Sequence, residues 1–384
     1  MKKIVHIGKY YFPKLGGIET VTKVLARGAV DIGHNVSVVC FNSKAESVFE
    51  QVDGVMLFRA PLLGTVASQP LGFTYCRRAI NEMRKADVVH LHLPNMVGAL
   101  CSLFIPRHVK LLLHWHSDVI NKGLLGVIFR PLEALLLRRA DSVIATSAVY
   151  AENSISLNPF LSKVIIVPIG VSDVAVTQHD NASKQALPQV LADKISGKKL
   201  ILAVGRLVPY KGFDFLVEAS KMLEEDAIVV IVGDGPMRDT LQNLIYKIGV
   251  SDSVYLTGRL DDEVLQSLFL QSEFFCLPST YKAEAFGVVL LEAMAYGLPI
   301  VSTNIVGSGV SWVNKHNVSG LNVSVGDAEA LANACNQILQ SKELRLRLSK
   351  GSRDRFVNNF TEKIFVEKVL AIYDSLTTTC HSQG

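Results

Sequence analysis

The chain has 384 residues, more than one hydrophobic core usually supports, so two domains of ordinary size are expected. Hydrophobic residues make up 49% and mark a globular protein, while the net charge of +4 hides an asymmetry: 19 Lys/Arg against 11 Asp/Glu before residue 168, and 20 against 24 after it. Six scattered cysteines with no C-x-x-C pair or zinc spacing suggest a reducing compartment, the opening MKKIVHIGKYYFPKLGG is too short in apolar residues for a signal peptide, and no apolar run reaches the roughly 18 residues of a membrane span.

In chain order, Lys3–Gly8 reads as a buried strand, Lys9–Gly17 as a loop, and Ile18, Val21, Leu25, Ala29 and Ile32 step by three and four along a helix. Asn35–Phe41 returns as a strand. Further strands follow at Gly54–Arg59, Asp87–Leu93, Val109–His114, Asp141–Thr146 and Lys163–Val167, alternating with helices such as Gly72–Lys85 and Leu124–Ala140. Continuous Val/Ile/Leu runs between helices argue for a parallel sheet covered on both faces, so residues 1–170 read as a doubly wound α/β domain.

Residues 171–198 are polar and weakly periodic, which marks a surface link. A second α/β domain, 199–358, is expected from strands at Leu200–Val204, Ala227–Val232, Val254–Thr257, Glu273–Leu277, Pro299–Ser302 and Gly320–Val323 with helices between them. A last helix, about 361–376, is free to cross back onto the first domain.

Four places carry chemistry. Gly16 and Gly17 open the first helix, where free amides favour an anion, although a Gly-Gly turn into a helix is more often just a turn. Arg206 and Lys211 stand on the glycine-bracketed loop GRLVPYKG after the first strand of the second domain, and Gly233 begins a similar turn after the next strand. Two fixed cations there can clamp a diphosphate and stabilise it as a leaving group.

In PSTYKAEAFGVVLLEAMAYGLPIVST, Glu284 and Glu292 lie too far apart to share one atom, and each suits a pair of sugar hydroxyls; the plainer alternative is an exposed acidic pair. The amides of Ala285, Phe286 and Gly287 would face the same ligand at the helix start. The fourth place is HWHSD, where His114, His116 and Asp118 end a strand, while one of His90 and His92 in VVHLHL reads as a core residue. No G-x-G-x-x-G and no G-x-x-x-x-G-K-[ST] occurs, which removes the dinucleotide and NTPase fingerprints.

Taken together, GGIET, HWHSD, GRLVPYKGFDFLVEA, VGDGP and EAFGVVLLEAMAYGLPIVST resemble the retaining glycosyltransferases of family 4, from Gly16 to about Phe360. The resemblance implies the GT-B fold, two Rossmann-like domains facing across a cleft, with acceptor on the first and nucleotide-sugar on the second. It implies diphosphate contacts at Arg206 and Lys211, sugar contacts at Glu284 and Glu292, the glycine loop at Gly16 and Gly17, and an active-site histidine at His116, with His114 the lesser match. It further implies no metal, consistent with the lack of a D-x-D.

The run IVGSGVSWVNKHNVSGLNV is similar to the O-antigen and exopolysaccharide subgroup, often mannosyltransferases acting on lipid-linked saccharides. That similarity implies a GDP-mannose donor, with a UDP-hexose or UDP-N-acetylhexosamine as the alternative, and a polyprenyl-diphosphate-linked saccharide acceptor in lipopolysaccharide biosynthesis. A nucleotide-sugar epimerase and a non-catalytic binding subunit are the rival readings. The basic residues Arg77, Arg78, Arg84, Lys85, Arg107, Lys110, Arg130, Arg138 and Arg139 form either a solvated face or a surface for anionic lipid, and no nucleic-acid motif accompanies them. The expected location is the cytoplasm, peripheral to the cytoplasmic face of the inner membrane.

Overall fold

The computed structural model describes residues 1–14, 16–66, 69–118, 124–173 and 187–378. It divides into two compact units, Met1–Ile169 together with Glu362–Gly384, and Gly170–Thr361.

The first unit is built on an eight-stranded sheet whose spatial order is Val164–Ile166, Ser142–Ala145, Lys110–Trp115, Val88–Leu93, Lys3–Ile7, Asn35–Phe41, Val55–Ala60 and Val48–Val52. All neighbours pair in parallel except the last two. The central strands are buried on both faces, and all six residues of Val88–Leu93 are buried, His90 and His92 included. Chain order reverses across the sheet between Lys3–Ile7 and Val88–Leu93, which makes this a doubly wound sheet with a switch point at its centre.

Two elements differ from the sequence expectation. Val48–Val52 is an antiparallel edge strand whose residues are alternately half-buried and exposed, so its sequence VFEQV lacks the continuous apolar run that flags the others. The short hairpin Gly64–Val66 with Gln69–Leu71 is the second.

The helix Gly17–Asp31 buries Val21, Leu25, Ala26 and Ala29, while Ile32 lies past its end and is exposed. The last helix, Glu362–Thr378, buries Phe365, Val369, Ile372, Tyr373 and Leu376 within this first unit and packs against Gly17–Asp31. Each such apolar side chain contributes about 1.5–3 kcal/mol on burial.

The second unit has six strands, all parallel, in the order Val254–Gly258, Ala227–Val232, Lys199–Val204, Ser272–Leu277, Ile300–Thr303 and Gly320–Val323. Read along the chain this is 3-2-1-4-5-6, with the switch point between Lys199–Val204 and Ser272–Leu277. Of the stretch 171–198, expected as a surface link, residues 174–186 lie outside those described. The rest is tied in: Gln189–Ile195 is a helix that buries Leu191 and Ile195, and Asp173 makes two 2.7 Å bonds to the Arg353 guanidinium. The expectation of two doubly wound α/β sheets holds in both units.

Candidate functional site

In the second unit, three loops converge at the carboxyl ends of the strands flanking the switch point. Gly233, after Ala227–Val232, has φ 143, and a Cβ there would lie 1.9 Å from the Gly205 carbonyl oxygen. Only glycine permits that approach. The contact is closed by hydrogen bonds, Leu207 N–H donating to the Asp234 carbonyl at 3.0 Å and Met237 N–H to the Leu207 carbonyl at 3.0 Å.

On the other side Gly212, at φ 65, would place a Cβ 2.2 Å from the Pro278 carbonyl oxygen, and Thr280 N–H donates to the Tyr210 carbonyl at 2.8 Å. The loops after residues 204, 232 and 277 therefore form one rim.

On that rim Lys211 and Glu284 meet. Lys211 Nζ stands 2.5 Å from Glu284 Oε2, and both residues are buried. Ser279 Oγ donates to the same Oε2 at 3.1 Å. A buried ammonium without a counter-charge would cost several kcal/mol, and Glu284 offsets part of that cost. The sequence reading assigned these two to different parts of a ligand; the fold joins them as a pair. Arg206 is exposed on the same loop, and burial followed by the Glu284 charge pushes the Tyr210 phenol up.

Gly287, at φ 77, ends the loop, and the helix is Val288–Ala295. Among the described residues, no acceptor takes the amides of Ala285, Phe286 or Gly287. They lie just before the helix, where backbone donors favour negative charge. Glu292 is on this helix, and burial, reinforced by Asp262 and opposed by Lys211, pushes its carboxyl up to about 7. The two glutamates thus differ in kind: Glu284 is ion-paired, and Glu292 is poised near neutrality.

Residues that sequence reasoning missed hold this loop in place. Ser308 Oγ donates to the Glu284 carbonyl, Gly309 N–H donates to the Ala285 carbonyl at 2.8 Å, and Thr303 Oγ1 donates to the Ser279 carbonyl. The available signal was the Gly-Ser-Gly turn just after strand Ile300–Thr303, at the rim where ligand loops gather.

In the first unit His116 follows strand Lys110–Trp115, its N–H donating to the Leu93 carbonyl at 3.1 Å. It is 9% exposed, and burial pushes its imidazole down to about 3, so it is neutral. His114 is fully buried, which closes sugar contact to it. Asp118 is a brace: its Oδ1 accepts from Trp115 Nε1 at 2.9 Å and from Ser154 Oγ at 2.6 Å. Both His90 and His92 are core residues rather than one of them.

His6, His90, His92, His114 and His116 form one buried cluster, and two triads, His6/His90/His92 and His92/His114/His116, bring ring nitrogens within 4.8 Å of one another. Zinc-motif spacing does not reveal it, because sheet register assembles it: His6 pairs with His90, and His92 with His114.

Gly16 and Gly17 are exposed at the start of helix Gly17–Asp31, and Leu15 lies outside the described residues. A Cβ on Gly16 would fall 2.3 Å from Glu19 Oε2, so the chain's own carboxylate rests at the helix terminus that attracts anions. Of the basic residues, Arg78 pairs with Glu82 at 3.2 Å, Lys110 and Arg139 pair with Asp141, and Arg139 also donates to the Pro106 and Val109 carbonyls. Those three serve the fold, whereas Arg77, Arg84, Lys85, Arg107, Arg130 and Arg138 are exposed.

Residues 16–170 match the model of the glycosyl transferase 4-like domain, and residues 191–355 that of the glycosyl transferases group 1. Over 375 residues the chain is 28% identical to an O-antigen chain mannosyltransferase C of Escherichia coli, covering 97% of this chain and 98% of that protein. It is 28% identical over 362 residues to the D-rhamnosyltransferase WbpZ of Pseudomonas aeruginosa, covering 94% and 92%. A solved glycosyltransferase from Rickettsia africae superposes with a TM-score of 0.75 at 18% identity, covering 98% of each chain, and shares the fold.

Proposed function

Because the chain belongs to the glycosyltransferases, a 4-like domain followed by a group 1 domain on the GT-B fold, we propose that it moves a hexose from a nucleotide-sugar onto a lipid-linked saccharide with retention of configuration. The donor we favour is GDP-mannose. A UDP-hexose or UDP-N-acetylhexosamine is the alternative, and the product belongs to O-antigen or related polysaccharide synthesis. Support for mannose comes from the relative named as a mannosyltransferase.

The observation that carries the reading is the Lys211–Glu284 pair at the switch-point rim, beside exposed Arg206 and the amides of residues 285–287. In this reading Arg206 and Lys211 bind the diphosphate and stabilise the charge it gains as it departs. Glu284, already compensated by Lys211 and Ser279, is a weak nucleophile and a good acceptor for sugar hydroxyls. It positions the sugar, and the acceptor attacks from the face the diphosphate leaves, unlike the two-carboxylate chemistry of retaining glycosidases. Glu292 holds the ribose. His116 contacts the sugar from the first domain, and no metal is needed in this scheme.

Membrane contact is part of the proposal. Arg77, Arg84, Lys85 and Arg107 are exposed on the first unit together with Phe73 and Phe104, a mixture of cations and apolar side chains that suits an anionic lipid surface. Among the described residues no helix is long and apolar enough to cross a membrane.

The test is purified protein with a panel of GDP- and UDP-sugars and membrane extract as acceptor. Labelled mannose entering the lipid fraction supports the reading. Turnover without acceptor would identify an epimerase, and incorporation from a UDP-sugar alone would replace the donor.

A further inference from the structure

Five imidazoles inside one sheet are costly to bury, and their connections show how the cost is met. All five lie on three adjacent strands or directly after one, with strand register setting His6 beside His90 and His92 beside His114. The Tyr373 hydroxyl comes from the helix Glu362–Thr378, which also places Phe365 against His114.

Followed atom by atom, the contacts make one chain. His116 Nε2 lies 3.1 Å from His92 Nδ1, His92 Nε2 lies 3.0 Å from His6 Nδ1, and His6 Nε2 lies 3.5 Å from Tyr373 Oη. Tyr373 Oη lies 2.6 Å from His90 Nδ1, and His90 Nε2 lies 3.3 Å from His114 Nδ1. Two nitrogens are left over. Among the described residues His114 Nε2 is buried without a partner, and His116 Nδ1 has none either but belongs to the one member that is not essentially inaccessible, at 9% exposed against 0–1% for the rest.

A neutral imidazole has one N–H and one lone pair, so each link constrains the next. Were Tyr373 to accept from both His6 and His90, its own buried O–H would be left without a partner; two arrangements satisfy all five contacts and also use that proton. In one, every histidine is protonated on Nε2; in the other, every histidine is protonated on Nδ1, and the tyrosine proton points to His90 or to His6 accordingly. They differ at the ends. The first strands a buried N–H at His114 Nε2 and presents a lone pair at His116 Nδ1. The second leaves only an unused lone pair at His114 and presents an N–H at His116. An orphaned buried N–H is the rarer of the two faults, so the second arrangement wins.

We propose that the five histidines and Tyr373 act as a single tautomer relay that fixes His116 as a neutral imidazole protonated on Nδ1, so that the sugar meets a hydrogen-bond donor there. The role in transfer rests on the reading of His116 given above. His92, His6, Tyr373, His90 and His114 are positioning residues that act through His116, and the histidine presented this way donates to a hydroxyl oxygen and does not serve as a base.

A metal ion explains the cluster less well. The rings of His114 and His116 are stacked, with centroids 4.1 Å apart and planes 10° apart, so their in-plane lone pairs run side by side and do not converge as tetrahedral ligation requires. Burial is the leading influence on all five rings, and among the described residues no carboxylate acts on them to offset a dication.

The experiment is long-range proton–nitrogen correlation NMR on the full chain labelled with 15N-histidine, near pH 7.5, alongside the transfer assay. The expected result is five neutral rings with His116 protonated on Nδ1. His92→Phe should release His116 to a mixture of tautomers and lower kcat about tenfold, the worth of one hydrogen bond, with little change in donor KM. His92→Asn, whose amide can donate from close to the Nδ1 position, should restore both signals. An imidazolium or Nε2–H at His116, a stoichiometric bound transition metal, or His92→Phe with unchanged spectrum and kcat would each overturn the relay. Wild-type protein with no transfer activity on any donor would instead sink the glycosyl-transfer reading, and the tautomer result would stand apart from it.

Discussion

Lowering the pH from about 7 to about 5 should weaken the first unit and strengthen the second. His6 and His116 have an ordinary pKa of 6.5 when unfolded, and burial depresses both to about 3 in the fold. Between those values the unfolded chain binds more protons, so the stability these residues confer is complete above about pH 6.5 and declines as the pH falls toward 3. At pH 5 the native rings are still neutral, and the unfolded ones protonate independently, so the two losses add. Each amounts to about 2 kcal/mol between pH 7 and pH 5, or about 4 kcal/mol for the two. Burial shifts His90, His92 and His114 the same way.

Glu292 runs the other way in the second unit. Its carboxyl rises from 4.5 to about 7 in the fold, so the native state binds the extra proton, and that stabilisation is complete below about pH 4.5 and lost as the pH rises through 7. Moving from pH 7 to pH 5 therefore returns about 2 kcal/mol. Native-state hydrogen exchange resolved by peptide, corrected for intrinsic rates, separates the two. Amides of Val88–Leu93 and Lys110–Trp115 should lose protection by at least several hundredfold relative to those of Lys199–Val204. Parallel loss in both units, or unchanged protection in the histidine strands, would refute the argument.

Three further outcomes are expected at the second-unit rim. Lys211→Ala and Glu284→Ala should each lower transfer about a hundredfold or more while circular dichroism stays native, since each removes a group from the proposed donor site and leaves its partner buried and unpaired. Glu292→Gln should abolish any dependence of donor KM on pH near 7, because the group that titrates there is gone; an unchanged pH profile would exclude Glu292 from the donor site. Gly233→Ala should destabilise the second unit by about 1–3 kcal/mol in urea unfolding, since its Cβ would collide with the Gly205 carbonyl in a backbone region that side chains avoid.

Much of this was legible because parallel strands buried on both faces announce themselves as unbroken Val/Ile/Leu runs, and because ligand loops follow such strands. Arg206 and Lys211, read from their place after Leu200–Val204, do stand on the rim. The edge strand Val48–Val52 escaped since one face is solvated and the apolar run is interrupted. The pairing of Lys211 with Glu284 escaped for a different reason. It arises from the 3-2-1-4 strand order, which sets two distant loops side by side, and no local spacing encodes it. The histidine cluster is the same case on a larger scale, since residues 6, 90, 92, 114, 116 and 373 are neighbours only across sheet and helix.

The ion pair at the rim also sets the terms on which this proposed site discriminates. Lys211 and Glu284 cancel each other, so a plain anion gains little by displacing the carboxylate from the lysine, and a plain sugar gains little by drawing the carboxylate away. A molecule carrying phosphate and hydroxyls at the right separation satisfies both partners in one step and leaves neither charge stranded. In the proposed donor site, mutual occupation would work as a coincidence test at this pair: two weak claims would each gain little alone and be accepted together when they arrive on the same molecule, with no steric barrier needed.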